Sequence, residues 1–174
     1  MAIGVEASSD LDRGHAHLGL GYALVRDADL REEADAHFAE ATRLFAAVGV
    51  PVPGRESEVG RARVASLRGE HDRAIALLAP VLDHLDPDDL LGAALPATML
   101  RGCVEVLRRA GDPRSGTVLA QARAYLRRTA AEVGDDDLAA AYLAIEPNRV
   151  LLDDDLDGPD AAPAQQVAKT SGPS

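Results

Sequence analysis

The side chains in this sequence that could do chemistry are a run of carboxylates near its end, five histidines, a single cysteine and scattered serines. Asp153, Asp155 and Asp157 alternate and Gly158 follows. That is the spacing of the oxygen ligands and turn glycine in the first half of a calcium-binding loop. Such a loop closes with a bidentate glutamate eleven residues after its first ligand, where Ala164 stands, and Pro159 and Pro163 oppose the helix that should leave it. The run therefore reads as a solvated acidic tail. His15 and His17 point about 200° apart on a helix and cannot share a metal. His37, His71 and His84 are isolated along the chain. Ser57 and Ser66 lack the Gly-x-Ser-x-Gly setting and any evident triad partner. Glu32 and Glu33 suit a helix start, where acidic groups favour the dipole. Cys103 excludes an internal disulfide or a cysteine-based zinc site and reads as a small buried apolar group. No constellation calls for catalysis, metal or cofactor, so the chain is expected not to be an enzyme.

Composition narrows the class further. The formal net charge is −11. Nucleic-acid binding depends on basic groups neutralising phosphates, so direct nucleic-acid binding is not expected. All but Lys169 of the 18 basic residues are arginine, and alanine is abundant, which points to a GC-rich bacterial coding sequence. Aromatics make up only 3 %, which favours helices packed through small residues over a sheet. The N-terminus lacks the basic start and apolar core of a signal peptide. No apolar run approaches the roughly 20 residues of a membrane span. A cytoplasmic chain with no membrane contact is the expectation.

Three segments recur: Ala34 to Ala41, Ala74 to Val81 and Gly116 to Arg123, with starts 40 and 42 residues apart. Each follows a turn and each turn follows another helix-like run, so the unit is helix, turn, helix. Asp112–Pro113 and Asp86–Pro87 read as helix starts, with proline where its missing N–H costs nothing. Leu11, His15, Leu18, Tyr22 and Val25 form one stripe at helical spacing. Val48 to Gly54, with two prolines and two glycines, reads as an inter-repeat loop. Pro80 and Pro96 predict bends or breaks, and Gly92 with Pro96 divides its segment into two short helices. A seventh helix is expected from Asp136 to Ile145. Three regions follow: an N-terminal arm over residues 1–9, a helical repeat domain over 10–152, and a disordered acidic, Pro/Ala-rich tail over 153–174.

The first unit resembles a tetratricopeptide repeat. Leu18-Gly19-Leu20-Gly21-Tyr22 matches that family's first helix, and Ala34, Phe38 and Ala41 match its second. The second unit matches through Ala62, Ala65, Gly69, Ala74, Leu78 and Val81, and the third through Gly111, Gly116 and Ala120. The long spacing is similar to repeats in the C-terminal regions of MalT-like, LuxR-type bacterial transcriptional activators, and Glu132 to Leu152 looks like their closing segment. The resemblance implies an all-α solenoid of three helix pairs plus a seventh helix. Small residues at Gly19, Ala34, Ala62, Ala74 and Gly116 would sit where helices cross closely.

The resemblance also implies a function. The family's first helices line a partner-binding groove, which maps here onto Arg13, Leu20, Glu56, Arg63, Arg101, Glu105 and Arg108, with Ala16, Ala23, Val59 and Ser66 between them. Arginine outnumbers glutamate on this face, so the expected partner is an acidic or C-terminal-carboxylate protein segment. The expectation is a protein- or peptide-binding scaffold, the regulatory part of a bacterial signalling or transcription-control protein. A small-effector sensor with its ligand in the superhelical cavity is the alternative. If nothing covers it, the Leu11-Leu18-Tyr22-Val25 stripe is a candidate homodimer face.

Overall fold

The computed structural model describes residues 2–86 and 90–156, with side chains from Ser9 onward. Among the described residues all regular structure is helical: α1 (Ala2–Leu24), α2 (Arg31–Val48), α3 (Pro51–Leu67), α4 (His71–Leu82), α5 (Pro96–Arg109), α6 (Ser115–Glu132), α7 (Asp136–Ala144) and α8 (Asn148–Asp153). The all-α fold of paired helices follows the sequence pattern. No described helix is long and apolar enough to cross a membrane.

Several boundaries differ from the sequence reading. The segment from Val48 to Gly54 is not a loop. Gly49 takes a left-handed conformation (φ 74°) and closes α2, with Val50 N–H donating to the Phe45 carbonyl at 3.0 Å. Then α3 begins at once, with Pro51 and Pro53 in its first turn, where backbone N–H groups have no helical acceptor to lose. The same glycine closure ends α3 at Gly69 and α5 at Gly111. Helix α4 runs through Pro80 and stops at Leu82. Pro96 does not split a helix but starts α5. No helix forms over the described residues between Leu82 and Pro96, and the expected start at Asp86–Pro87 lies partly outside them. Asp112 accepts the Arg114 N–H at 2.9 Å, but α6 itself begins at Ser115. At the N-terminus α1 is helical from Ala2, across most of the expected arm.

Helix α1 packs on α2, α2 on α3, α3 on α4, and α5 on α6. The backbones of the first helices of the pairs also lie close together, α1 to α3 and α3 to α5, whereas those of α2, α4 and α6 stand farther apart, α4 reaching α2 through the Arg73–Asp35 ion pair at 2.9 Å. Helices that stay in contact line the inside of a curved stack, so α1, α3 and α5 form the inner layer.

Phe38 and Phe45 fix the first repeat. Phe38 has no exposed surface, and its ring lies against the backbones of Gly21 and Gly60: a Cβ added there would stand 2.6 and 2.5 Å from it. Phe45 occupies the same relation to Gly14, at 2.7 Å. Ala34, Ala62 and Ala74 are buried crossing points as expected. Gly19 and Gly116 are not, since an added Cβ at either meets nothing within 4 Å. Within the apolar stripe of α1, Leu18 and Val25 are buried, and Leu11 and Tyr22 pack on the same cluster. The stripe is covered by this chain's own helices, which removes it as a dimer face.

The far end is closed by a helix the sequence reading missed. The N-cap of α7 is Asp135, whose side chain accepts the Leu138 N–H, but α7 buries no residue fully. Helix α8 buries Val150 and Leu151 in the main core, and Leu156 joins them. The packed chain therefore extends four residues beyond the expected boundary at Leu152; residues 157–174 of the expected tail lie outside the described residues.

The two classes of glycine predict opposite responses in urea unfolding. Gly19→Ala gains helix propensity without a clash and stabilises by roughly 0.5–1 kcal/mol. Gly60→Ala drives a methyl into Phe38, whose ring Gly21 blocks from behind, and destabilises by about 1–3 kcal/mol. Equal effects at both sites would refute the ring-on-glycine packing.

Candidate functional site

The expected groove residues separate into three groups. Arg13 and Leu20 lie exposed on α1; Arg13 pairs with Asp10 at 2.9 Å. Ala16 and Ala23 are exposed beside them. Arg63, Arg101, Glu105 and Arg108 come together where α3, α5 and the C-terminal segment meet. Glu56, expected in the groove, has no exposed surface, and Val59 and Ser66 are also buried.

Glu56 is a structural clamp. Its Oε2 accepts the Ala94 N–H at 2.7 Å, and its Oε1 accepts the Leu95 N–H at 2.9 Å and the Tyr22 hydroxyl at 3.1 Å. One carboxylate on α3 thus joins α1 to the backbone entering α5. The position just before a helix presents N–H groups without helical partners, and a carboxylate satisfies them. Burial raises the Glu56 carboxyl above the usual range, against the lowering pull of the Ala94 and Leu95 N–H groups and Tyr22. Burial and the adjacent Glu56 together push the Tyr22 hydroxyl well above its ordinary value.

The arginines converge on carboxylates of two origins. Glu105 on α5 accepts from Arg63 at 2.7 Å and from Arg101 at 2.5 Å, and all three side chains are largely buried. Arg101 also pairs with Glu146, which Arg26 approaches at 3.3 Å. Partial burial works to raise the Glu146 carboxyl, but these two guanidiniums outweigh it and hold it below the usual range. Arg108 pairs with Asp154, and Arg123 donates to the Leu151 and Leu152 carbonyls at 2.9 and 3.1 Å. The C-terminal segment therefore lies on α5 and α6 through charged contacts around a small apolar core.

Between these groups is a cavity of about 210 Å³. Arg26, Arg31, Arg63, Arg101, Arg109 and Arg149 line it, against the three carboxylates Glu105, Glu146 and Asp155. Four of these arginines were not singled out in the sequence. They come from a turn, two helix ends and a helix not foreseen, so no single-helix period connects them. A larger cleft of about 490 Å³ between the ends of α2, α3 and α4 is lined mainly by apolar groups including Phe45, Val50 and Pro51.

The remaining chemistry-bearing residues are accounted for locally. His17 and His37, far apart in sequence, place their Nδ1 atoms 2.8 Å apart, so one ring donates a proton that the other accepts. Among the described residues no three His, Cys, Asp or Glu side chains converge as metal ligands. Within the acidic run, Asp153 ends α8 and faces Arg149 at 3.5 Å, while Asp154 faces Arg108. Asp157 and Gly158 lie outside the described residues. Burial pushes the Cys103 thiol up to about 12, which leaves it an inert core group. No protein-family model, curated protein or solved structure matches this chain.

The Glu56 clamp predicts a pH signature. A carboxyl whose folded pKa lies above its unfolded value favours folding most when protonated, and loses that contribution as pH rises through the folded pKa. Urea unfolding of wild type and Glu56→Gln between about pH 4 and 7 measures this difference. The wild type's stability relative to the variant should fall as pH rises across that window. A constant or rising difference would contradict the assignment.

Proposed function

We propose that this chain is a tetratricopeptide-like scaffold that holds an acidic segment of a protein partner on the layer formed by α1, α3 and α5. In this reading it is the regulatory part of a bacterial signalling or transcription-control protein and carries out no catalysis. One observation supports it above others: the inner layer already holds an acidic segment, its own. Glu146 and Asp154 meet Arg101 and Arg108 of α5 through ion pairs, the chemistry a partner's carboxylates would use. The sequence likeness to tetratricopeptide repeats and the paired-helix stack add weight.

The second reading is a sensor that holds a small effector, and the arginine-lined cavity favours it. Its size lies below the roughly 300–1,000 Å³ of drug-sized ligand sites, so its occupant would be small.

Fluorescence anisotropy with labelled nonapeptides tests the scaffold reading, comparing acidic sequences with their Asn/Gln counterparts. The acidic set should bind more tightly and lose affinity as salt rises. A triple Arg63→Gln, Arg101→Gln, Glu105→Gln variant removes the network without stranding one buried charge, and should weaken binding by about tenfold or more. No preference for acidic peptides, or none lost in the variant, would sink the scaffold reading.

A further inference from the structure

We infer that the cavity lined by the end of α1, the start of α2, α3, α5 and α8 binds a compact oxyanion of two or three negative charges, a phosphate or a small polycarboxylate. This deepens the sensor reading by naming the class of effector, and it does not depend on the peptide-holding one. Charge is the first ground. Six arginines against three carboxylates meet in one small space on a protein whose net charge is −11. The carboxylates are already shared, Glu105 between Arg63 and Arg101, and Glu146 between Arg101 and Arg26. A guanidinium has five donors, so Arg26, Arg63 and Arg101, which share these two carboxylates, keep donors for a further anion.

Arg31 is the second ground. It opens α2 and lines the cavity, and its Nη1 donates to the Leu67 carbonyl at 3.3 Å. Its Nε is buried without an acceptor. With Nε closed off from solvent, an oxyanion in the cavity would be met by the Nη end of the Arg31 fork. Arginine is also the side chain that stays charged at any ordinary pH and matches carboxylate and phosphate oxygens two at a time.

Size and topology set the ligand and its effect. A volume of about 210 Å³ takes a phosphate or a short polycarboxylate but not a nucleotide or a length of peptide. The walls come from opposite ends of the chain: Arg26 and Arg31 from the first repeat, Arg149 and Asp155 from the C-terminal segment. An anion held among them ties these ends together across α3 and α5. Binding would therefore stabilise the curved stack and hold α8 in place.

The test uses the full chain with sodium phosphate and sodium citrate, each against sodium chloride at matched ionic strength, because screening alone stabilises an acidic protein. Calorimetry should give one saturable site for at least one anion, and Tm should rise beyond the chloride control. Hydrogen exchange at residues 148–156 should slow on binding. Phosphate and citrate, run separately, show which charge spacing fits. Arg26→Gln and Arg149→Gln change side chains that are 60 % and 50 % exposed, so both variants should fold, and each should weaken the anion by about tenfold. Arg43→Gln, paired with Glu40 on α2 and not lining the cavity, should leave it unchanged. Stabilisation no greater than chloride gives, or equal affinity in all three variants, overturns the inference. If the anion fails to bind while acidic peptides still do, this site is refuted and the scaffold reading stands.

Discussion

A carboxylate shut away from water, Glu56, holds the join on which the inner layer depends. The chain leaves α4 at Leu82 and α5 starts only at Pro96, so the placement of α5 against α3 has no short turn to enforce it. Glu56 supplies that constraint by accepting two consecutive backbone N–H groups at the entry to α5 and the Tyr22 hydroxyl from α1. Burying an ionised carboxylate costs several kcal/mol unless its oxygens are satisfied, and here three donors satisfy them. Replacing any one donor would leave the charge less compensated, which makes the arrangement specific to this geometry and not to close relatives of it.

What Glu56 holds in place is the pairing of α3 with α5, and the arginine cluster exists only through that pairing. Arg63 on α3 reaches Oε2 of Glu105 while Arg101 on α5 holds its Oε1, because the two helices lie side by side at this level. The glycine-faced rings do the equivalent for the first repeat: Phe38 fills the space between Gly21 of α1 and Gly60 of α3, and sets how closely α1 approaches α3. Arg26 and Arg31, which flank the turn after α1, are brought to the cavity by that approach. The polar clamp and the apolar ring packing thus act in series, one placing each side of the same site.

The sequence made the helices legible but not all of their partners. Helical periodicity and the anchors at Ala34 and Ala74 located the repeats, because crossing points need small residues and these two are fully buried. The third anchor misled, since Gly116 and Ala120 are small but face outward, and smallness alone does not say which side of a helix is covered. Proline was read too simply: Pro51, Pro53 and Pro96 occupy first turns, where they assist a helix, and only Pro80 lies inside one. Glu56 falls in the groove when the family's groove-lining positions are mapped onto this chain; its burial depends on backbone donors nearly forty residues away, which no local pattern reveals. Helix α8 escaped notice because six residues between Pro147 and an acidic run carry too little periodicity to register.

The charge distribution gives the inner face its character. With a net charge of −11, each arginine reduces the overall self-repulsion, but arginines gathered in one place still repel one another unless carboxylates lie between them. Many surface arginines meet a near neighbour in sequence, as Arg43 does with Glu40 and Arg114 with Asp112, and such exposed pairs contribute little. On the inner layer Arg63, Arg101 and Arg108 also reach carboxylates from across the fold, Glu105, Glu146 and Asp154 in turn. Long-range pairs of this kind form only after α3, α5 and the C-terminal segment have docked, so they report tertiary placement and not helix propensity. Val150, Leu151 and Leu156 add apolar contact to these charged ones, so the C-terminal segment is fastened to α5 and α6 by both kinds of interaction at once.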